Sequence, residues 1–168
     1  MSTVSIDQRP STLLTEAADR AEVTALLIRC GYYVYRPEAD INGEDLVVKL
    51  RNGRLVAVQQ KGRATVNQAK YGGRNIWMLF PSAKYSPELK RDWYFIPHDD
   101  LFAWVYDRHG KAPKWNGEWH YPELSKILKE FLEPHLVRPL ASAREDRLFI
   151  GMDDPEIIGH GEPVESLS

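Results

Sequence analysis

The chain has 168 residues and a mass of 19.3 kDa, room for one domain with a real core and a tail. Its 43% hydrophobic and 27% charged residues are those of a soluble globular protein, and the single cysteine, Cys30, excludes a disulfide framework and an all-cysteine zinc site. The formal charge of −2 hides an asymmetry: ten basic residues face one acid, Glu88, between Lys49 and Arg91, whereas seven acids face Arg147 alone from Glu145 onward. A basic stretch this poor in acids suits a polyanion, although a solvated surface can carry the same charges. The N-terminal residues lack the apolar core of a secretory signal. No apolar stretch approaches the roughly 20 residues of a membrane span. A lone cysteine fits a reducing cytosol, so a cytoplasmic protein with no membrane partner is expected.

Residues 1–10 read as a loose segment. Ser11 or Thr12 can cap a helix just after Pro10, and Gly31 is a natural stop. Leu14, Ala18, Ala21, Ala25, Leu26, Leu27 and Cys30 recur at helical spacing, which makes them the expected buried stripe. Asp19 and Glu22 share a second stripe, which simple solvation would also explain. Cys30 reads as a small buried hydrophobe. Tyr32 to Arg36 is a β-rich strand ended by Pro37, and Glu38 to Gly43 is a polar connection with Asp40 as a turn residue.

The stretch from Gly43 to Arg63 reads as a hairpin. Asp45 to Leu50 and Leu55 to Gln59 flank Asn52-Gly53, the signal for a tight type I′ turn. An Asp opens the first strand and Lys61 closes the second, so antiparallel pairing brings them to one end. With period-two alternation, Asp45, Gln59 and Lys61 converge on one face while Gln60 points away. A carboxylate, an amide oxygen and an ammonium at one sheet end suit a metal ion beside a phosphate. Residues 62–74 form a loop or short helix, mobile at Gly72-Gly73, carrying Arg63, Lys70, Tyr71 and Arg74. Cations anchor phosphates and aromatics stack on splayed bases, although an ordinary surface loop would look the same.

Asn75 to Phe80 and Trp93 to Pro97 read as buried strands, and His98-Asp99-Asp100 as the start of a helix whose acids complement its dipole. The histidines have no convincing zinc spacing. Glu123 to Leu136 is an amphipathic packing helix, with a dimer helix as the alternative. Gly159 to Ser168 has the composition of a disordered end.

Taken together, the helix with an acid, Gly31-Tyr32, Val34, Arg36-Pro37, Gly43-x-Asp45-Leu46-Val47-Val48 and Val58-Gln59-x-Lys61 resemble the core of the PD-(D/E)XK nuclease superfamily. The branch is the one with Q-x-K, similar to Holliday junction resolvase-like and Mrr-type restriction endonuclease cores. The resemblance implies an α/β restriction-endonuclease-like core, a central mixed β-sheet flanked by helices, with a C-terminal helical extension. It implies a nuclease domain over residues 1–140 and a partly disordered acidic tail over 141–168. It implies a Mg2+- or Mn2+-dependent hydrolase of DNA phosphodiesters, on branched or structured DNA, with homodimer formation open. Asp45, Gln59, the Gln60 backbone carbonyl and Glu22 would hold the metal, with Asp19 and Glu16 as alternatives to Glu22. Lys61 would lie beside the scissile phosphate. Arg63, Lys70, Tyr71 and Arg74 would bind DNA. Gln59 stands where the consensus has an acid, which weakens the expected site. The alternative is a catalytically weak nuclease-fold module that binds nucleic acid or a protein partner.

Overall fold

The computed structural model describes residues 12–39 and 43–139. The expected turn at Asp40, the domain boundary near 140 and the acidic tail lie outside the described residues. Helix α1, Thr12–Arg29, opens the fold, and Gly31 at φ 82° reverses the chain. Its buried row is Asp19, Val23 and Leu27, with Cys30 just beyond. The expected stripe is therefore corrected: Leu14 is 64% exposed, and an acid continues the buried row instead. Burial pushes the Cys30 thiol pKa up, which keeps it protonated and inert.

Strands β1 (Tyr33–Tyr35), β2 (Leu46–Lys49) and β3 (Leu55–Gln60) form an antiparallel meander. The hairpin turn is not type I′. Gly53 N–H donates to the Leu50 carbonyl at 2.9 Å, Leu50 N–H donates to Arg54 O at 2.8 Å, and Gly53 alone of the turn residues has positive φ, +85°. This is a type I turn closed by a glycine bulge, with three loop residues rather than two. The difference decides the site. A two-residue loop would set Asp45 opposite Gln60 and turn Gln59 to the other face. The extra residue pairs Leu46 with Val58, which leaves Asp45 just before the ladder with its N–H on Val58 O and its carboxylate beside Gln59 and Gln60.

Residues 61–75 cross over to β5 (Ile76–Pro81), which runs parallel to β3, and β6 (Trp93–Pro97) completes the sheet antiparallel to β5. The sheet order is β1-β2-β3-β5-β6. The crossover holds β4 (Thr65–Asn67) and the short helix α2 (Gln68–Tyr71), capped by the Asn67 side chain on Lys70 N–H at 3.0 Å. The expected loop or short helix is thus a short strand followed by helix α2, and Gly73 N–H donates to both Asp99 carboxylate oxygens at 3.1–3.2 Å. Helix α3 (His98–His109) begins where the acids indicated. Strand β7 (Glu118–His120) pairs with β4 as a separate two-stranded ribbon. Helix α4 (Lys126–Leu132) is shorter than expected and runs into one 3₁₀ turn, Glu133–His135.

The result is a mixed α/β sheet with a core on each face. Val23 and Leu27 of α1 pack on Leu46, Val48, Val58 and Leu79. On the other face Met78, Phe80 and Ile96 meet Leu101 and Val105 of α3 and Leu128 and Leu132 of α4. Among the described residues no helix is long and apolar enough to cross a membrane.

Candidate active site

Asp45 N–H donates to Val58 O at 2.8 Å, which fixes the carboxylate at the mouth of the hairpin. One carboxylate oxygen, Oδ2, accepts from Gln60 N–H at 2.9 Å and from the Gln59 amide, Nε2. The same Nε2 lies 3.3 Å from the Gln60 carbonyl oxygen. Gln59 is 6% exposed and shares the face of Ala57 and Met78, whereas the Gln60 side chain lies on the α1 face in line with Val58 and Leu79. Lys61 leaves β3 with its N–H on Leu79 O at 2.9 Å, and its ammonium lies 5.8 Å from the Tyr71 ring centroid. Asp45, Gln59 and Lys61 are thus brought together, through the register that the glycine-bulge turn sets.

Two adjoining depressions meet at these three residues. One also takes in Glu16, Asp19, Arg20 and Gln60, on the α1 side. The other takes in Lys70, Tyr71 and Arg74. A third opens from Lys61 along Arg63, Thr65 and Asn67 to Glu118 and His120 on the β4–β7 ribbon. Glu22 is not at the site. Its carboxylate accepts from Arg91 Nη2 at 2.6 Å and from the Trp93 indole N–H at 2.7 Å. Of the three α1 acids, Glu16 and Asp19 border the cavity. Asp19 is itself held by Arg91 at 2.6 Å, so Glu16, exposed at the rim, is the one nearest to solvent.

Arg91 was legible only as part of the basic run, yet it is 5% exposed. Its guanidinium joins Asp19 and Glu22, donates to Ala83 O at 3.3 Å and lies between the rings of Tyr85 and Trp93. It docks α1 onto the start of β6 and does not reach a phosphate. Tyr71 is also corrected. Its ring is buried against His98 at 5.6 Å, so it backs Lys61 and offers no free face to a base. Arg63, Lys70 and Arg74 are exposed along the cavities.

Two further cations escaped the sequence reading. Arg20 borders the Asp45 cavity, and Arg36 donates to Thr24 Oγ1 at 2.8 Å, one turn further along α1. The Arg36 pKa is lowered by burial first and by the like charge of Arg20, with Asp45 acting the other way. Arg20, Arg36 and Lys61 thus surround the carboxylate with positive charge. Only the Arg36 side chain's contact with α1 reveals this, since the sequence marks Arg36 as the end of a strand and Arg20 not at all.

His98 is buried, and its Nε2 accepts from Asn67 N–H at 3.1 Å. That bond leaves the proton on Nδ1, which donates to Asp99 at 3.0 Å. Burial lowers its pKa, so it is a neutral structural histidine joining β4 to α3. Among the described residues no group of three His, Cys, Asp or Glu is arranged to hold a metal. An Asp45-centred site would therefore draw on amide and carbonyl oxygens. The Gln59 amide stands between two of them, Asp45 Oδ2 and Gln60 O. Rotating that amide would bring its oxygen toward the same point. Gln60 Oε1, on the cavity that holds Asp45, is buried without a hydrogen-bond partner among the described residues. One carboxylate with neutral oxygens fits a hard divalent cation that keeps several waters, and is a poor match for a soft metal.

No protein-family model matches the chain. No curated protein matches it. Among solved structures it is similar to a bacterial homing endonuclease, I-Ssp6803I, over 82% of this chain and 99% of that one, with 19% identical residues and a TM-score of 0.44.

Proposed function

We propose that this protein is a metal-dependent endonuclease that hydrolyses DNA phosphodiester bonds, with Mg2+ or Mn2+ as the cation. The observation that carries the reading is the convergence of Asp45, Gln59 and Lys61 at one sheet end, inside a cavity rimmed by Arg20, Lys70 and Arg74. In this reading Asp45, the Gln60 carbonyl and the Gln59 amide oxygen hold the cation. Bound there, a divalent ion would supply Lewis-acid stabilisation of the negative charge that builds on the phosphoryl oxygens. Lys61 lies beside the scissile phosphate, orients the attacking water and neutralises charge in the transition state. Glu16 is the α1 acid that completes the site, in place of Glu22. Arg63, Lys70 and Arg74 hold the phosphates that follow.

A second reading has an observation of its own. Gln59 already satisfies Asp45 as a hydrogen-bond donor. A site so closed would make the chain a nuclease-like module that binds DNA or a protein without cutting. Cleavage assays on linear, single-stranded, flap and four-way-junction DNA, with Mg2+, Mn2+ or EDTA, separate the two. The endonuclease reading expects cutting that EDTA abolishes and that Asp45→Asn loses. Folded protein that binds these DNAs and cuts none of them would leave the second reading.

A further inference from the structure

The sheet face that carries Asp45 and Gln59 continues beyond the cavity. Strand register sets its side chains in rows. Tyr33, Lys49 and Leu55 make one row and Tyr35, Val47 and Ala57 the next; Gln59 follows, with the Asp45 carboxylate hydrogen-bonded to its amide. Helix α1 covers the opposite face, and α3 packs over β5 and β6, so among the described residues nothing covers the β1–β2 end of this face. Tyr33 is 66% exposed, Tyr35 50% and Leu55 59%. Two large rings two residues apart on an open strand are an expensive way to cover a surface.

Charge and spacing narrow what covers it. The Lys49 ammonium lies 5.7 Å from the Tyr33 ring centroid. Lys49 and Arg36 border the depression beside Tyr35, and among the described residues no acid does. Rows two residues apart are about 7 Å apart, from a rise of about 3.3–3.4 Å per residue. That is roughly twice the ~3.4 Å step of stacked duplex DNA. The spacing suits a strand pulled out of its stack, with bases on successive rings, and does not suit regular duplex. We infer that Tyr35 and Tyr33 form a stacking platform for unpaired bases of a DNA strand whose backbone runs on to Asp45 and Lys61. The platform makes the substrate of the proposed nuclease a DNA with a single-stranded arm beside the cut. The inference rests on the endonuclease reading for the direction of the strand, and on register and charge for the platform itself.

The test uses the full chain in EDTA, where cleavage is off. The probes are a forked DNA with 2-aminopurine in its unpaired arm, next to the fork, and a blunt duplex of the same sequence. Tyr33→Ala and Tyr35→Ala should each weaken fork binding by about 5- to 150-fold, the range for losing one stacked aromatic, and relieve 2-aminopurine quenching. Duplex affinity should change by less than about 2-fold on the same scale. Tyr→Phe at either position should retain both signals, because the ring and not the hydroxyl does the stacking. Fork affinity and quenching unmoved by both alanine variants would overturn the platform. So would equal losses on fork and duplex. If metal-dependent cutting persisted in that case, the endonuclease reading would stand alone. If the alanine variants changed only the oligomeric state by light scattering, the face would belong to a second copy of the chain, and the platform would again fall.

Discussion

Arg91→Met isolates the buried ion network that seats α1 beside the site. The methionine keeps an apolar stem but not the guanidinium that lies against Tyr85 and Trp93, so the change removes charge, hydrogen bonds and both ring contacts. Breaking a buried pair by deleting one partner costs about 3–5 kcal/mol, because the other charge is left without compensation. Here the two carboxylates are not equivalent. The Asp19 side chain is 8% exposed, whereas that of Glu22 is 35% exposed and keeps its bond from the Trp93 indole. Only Asp19 loses its full compensation, so the lower end applies, about 3 kcal/mol. Urea unfolding should show this as a lower midpoint at unchanged slope. Arg91→Met with Asp19→Leu and Glu22→Gln, which restores an apolar row and keeps an acceptor for Trp93, should return to within about 1 kcal/mol of the parent. A loss below about 1 kcal/mol for Arg91→Met alone, on the same scale, would refute the buried network. Reduced DNA affinity with that small loss would move Arg91 back to the phosphate-binding face.

Three further outcomes follow from single features. Gly53→Ala should cost about 1–2 kcal/mol in urea melts, purely through backbone strain at φ +85°, since nothing lies within 4 Å of an added Cβ; a neutral result would contradict the glycine-bulge turn. Burial lowers the pKa of His98, against a partial pull from Asp99, and also that of His135. Both then bind protons less readily folded than unfolded, where histidine titrates near about 6.5. Their stabilisation is complete above that pH and is lost as pH falls through it. Thermal melts between about pH 7 and 5 should therefore show stability falling with acid, and His98→Gln should flatten the slope. An unchanged slope would contradict the buried neutral imidazole. Arg63→Ala, Lys70→Ala and Arg74→Ala should each reduce the salt dependence of duplex binding by about 0.9 in log–log slope, and Arg91→Met by none; a slope indifferent to all three would remove them from phosphate contact.

The parts of this molecule that the sequence made legible are those with strong local signals. Gly31 stops α1, His98-Asp99-Asp100 starts α3, and the apolar runs at β5 and β6 are buried strands. Asp45, Gln59 and Lys61 were readable as neighbours because a short hairpin brings its two ends together. The turn that makes them cluster was not, since Asn-Gly favours both a two-residue turn and a type I turn with a glycine bulge. Asp19 defeated the amphipathic reading of α1, because its burial depends on Arg91, 72 positions away in sequence. Tyr71 has the composition of a base-stacking residue, and only its contact with His98 reveals a supporting one. The β4–β7 ribbon joins two three-residue segments across α3, with too few residues in either for alternation to register.

In the proposed function, Asp45, Gln59 and the Gln60 carbonyl hold a hard cation for DNA cleavage. Calorimetric titration of Mg2+ and Mn2+ into the protein, Asp45→Ala and Gln59→Glu, paired with cleavage of the best substrate, tests it most directly. Gln59→Glu replaces a neutral amide by a charge in a site only 6% exposed, where electrostatic attraction to the ion is weakly screened. Part of the gain is offset, because the new carboxylate also repels Asp45 and attracts Lys61. The parent should bind measurably, Asp45→Ala not at all, and Gln59→Glu more tightly with cleavage kept or raised. No metal binding and no cutting by either the parent or Gln59→Glu would contradict the proposed function and leave a nuclease-like module that only binds.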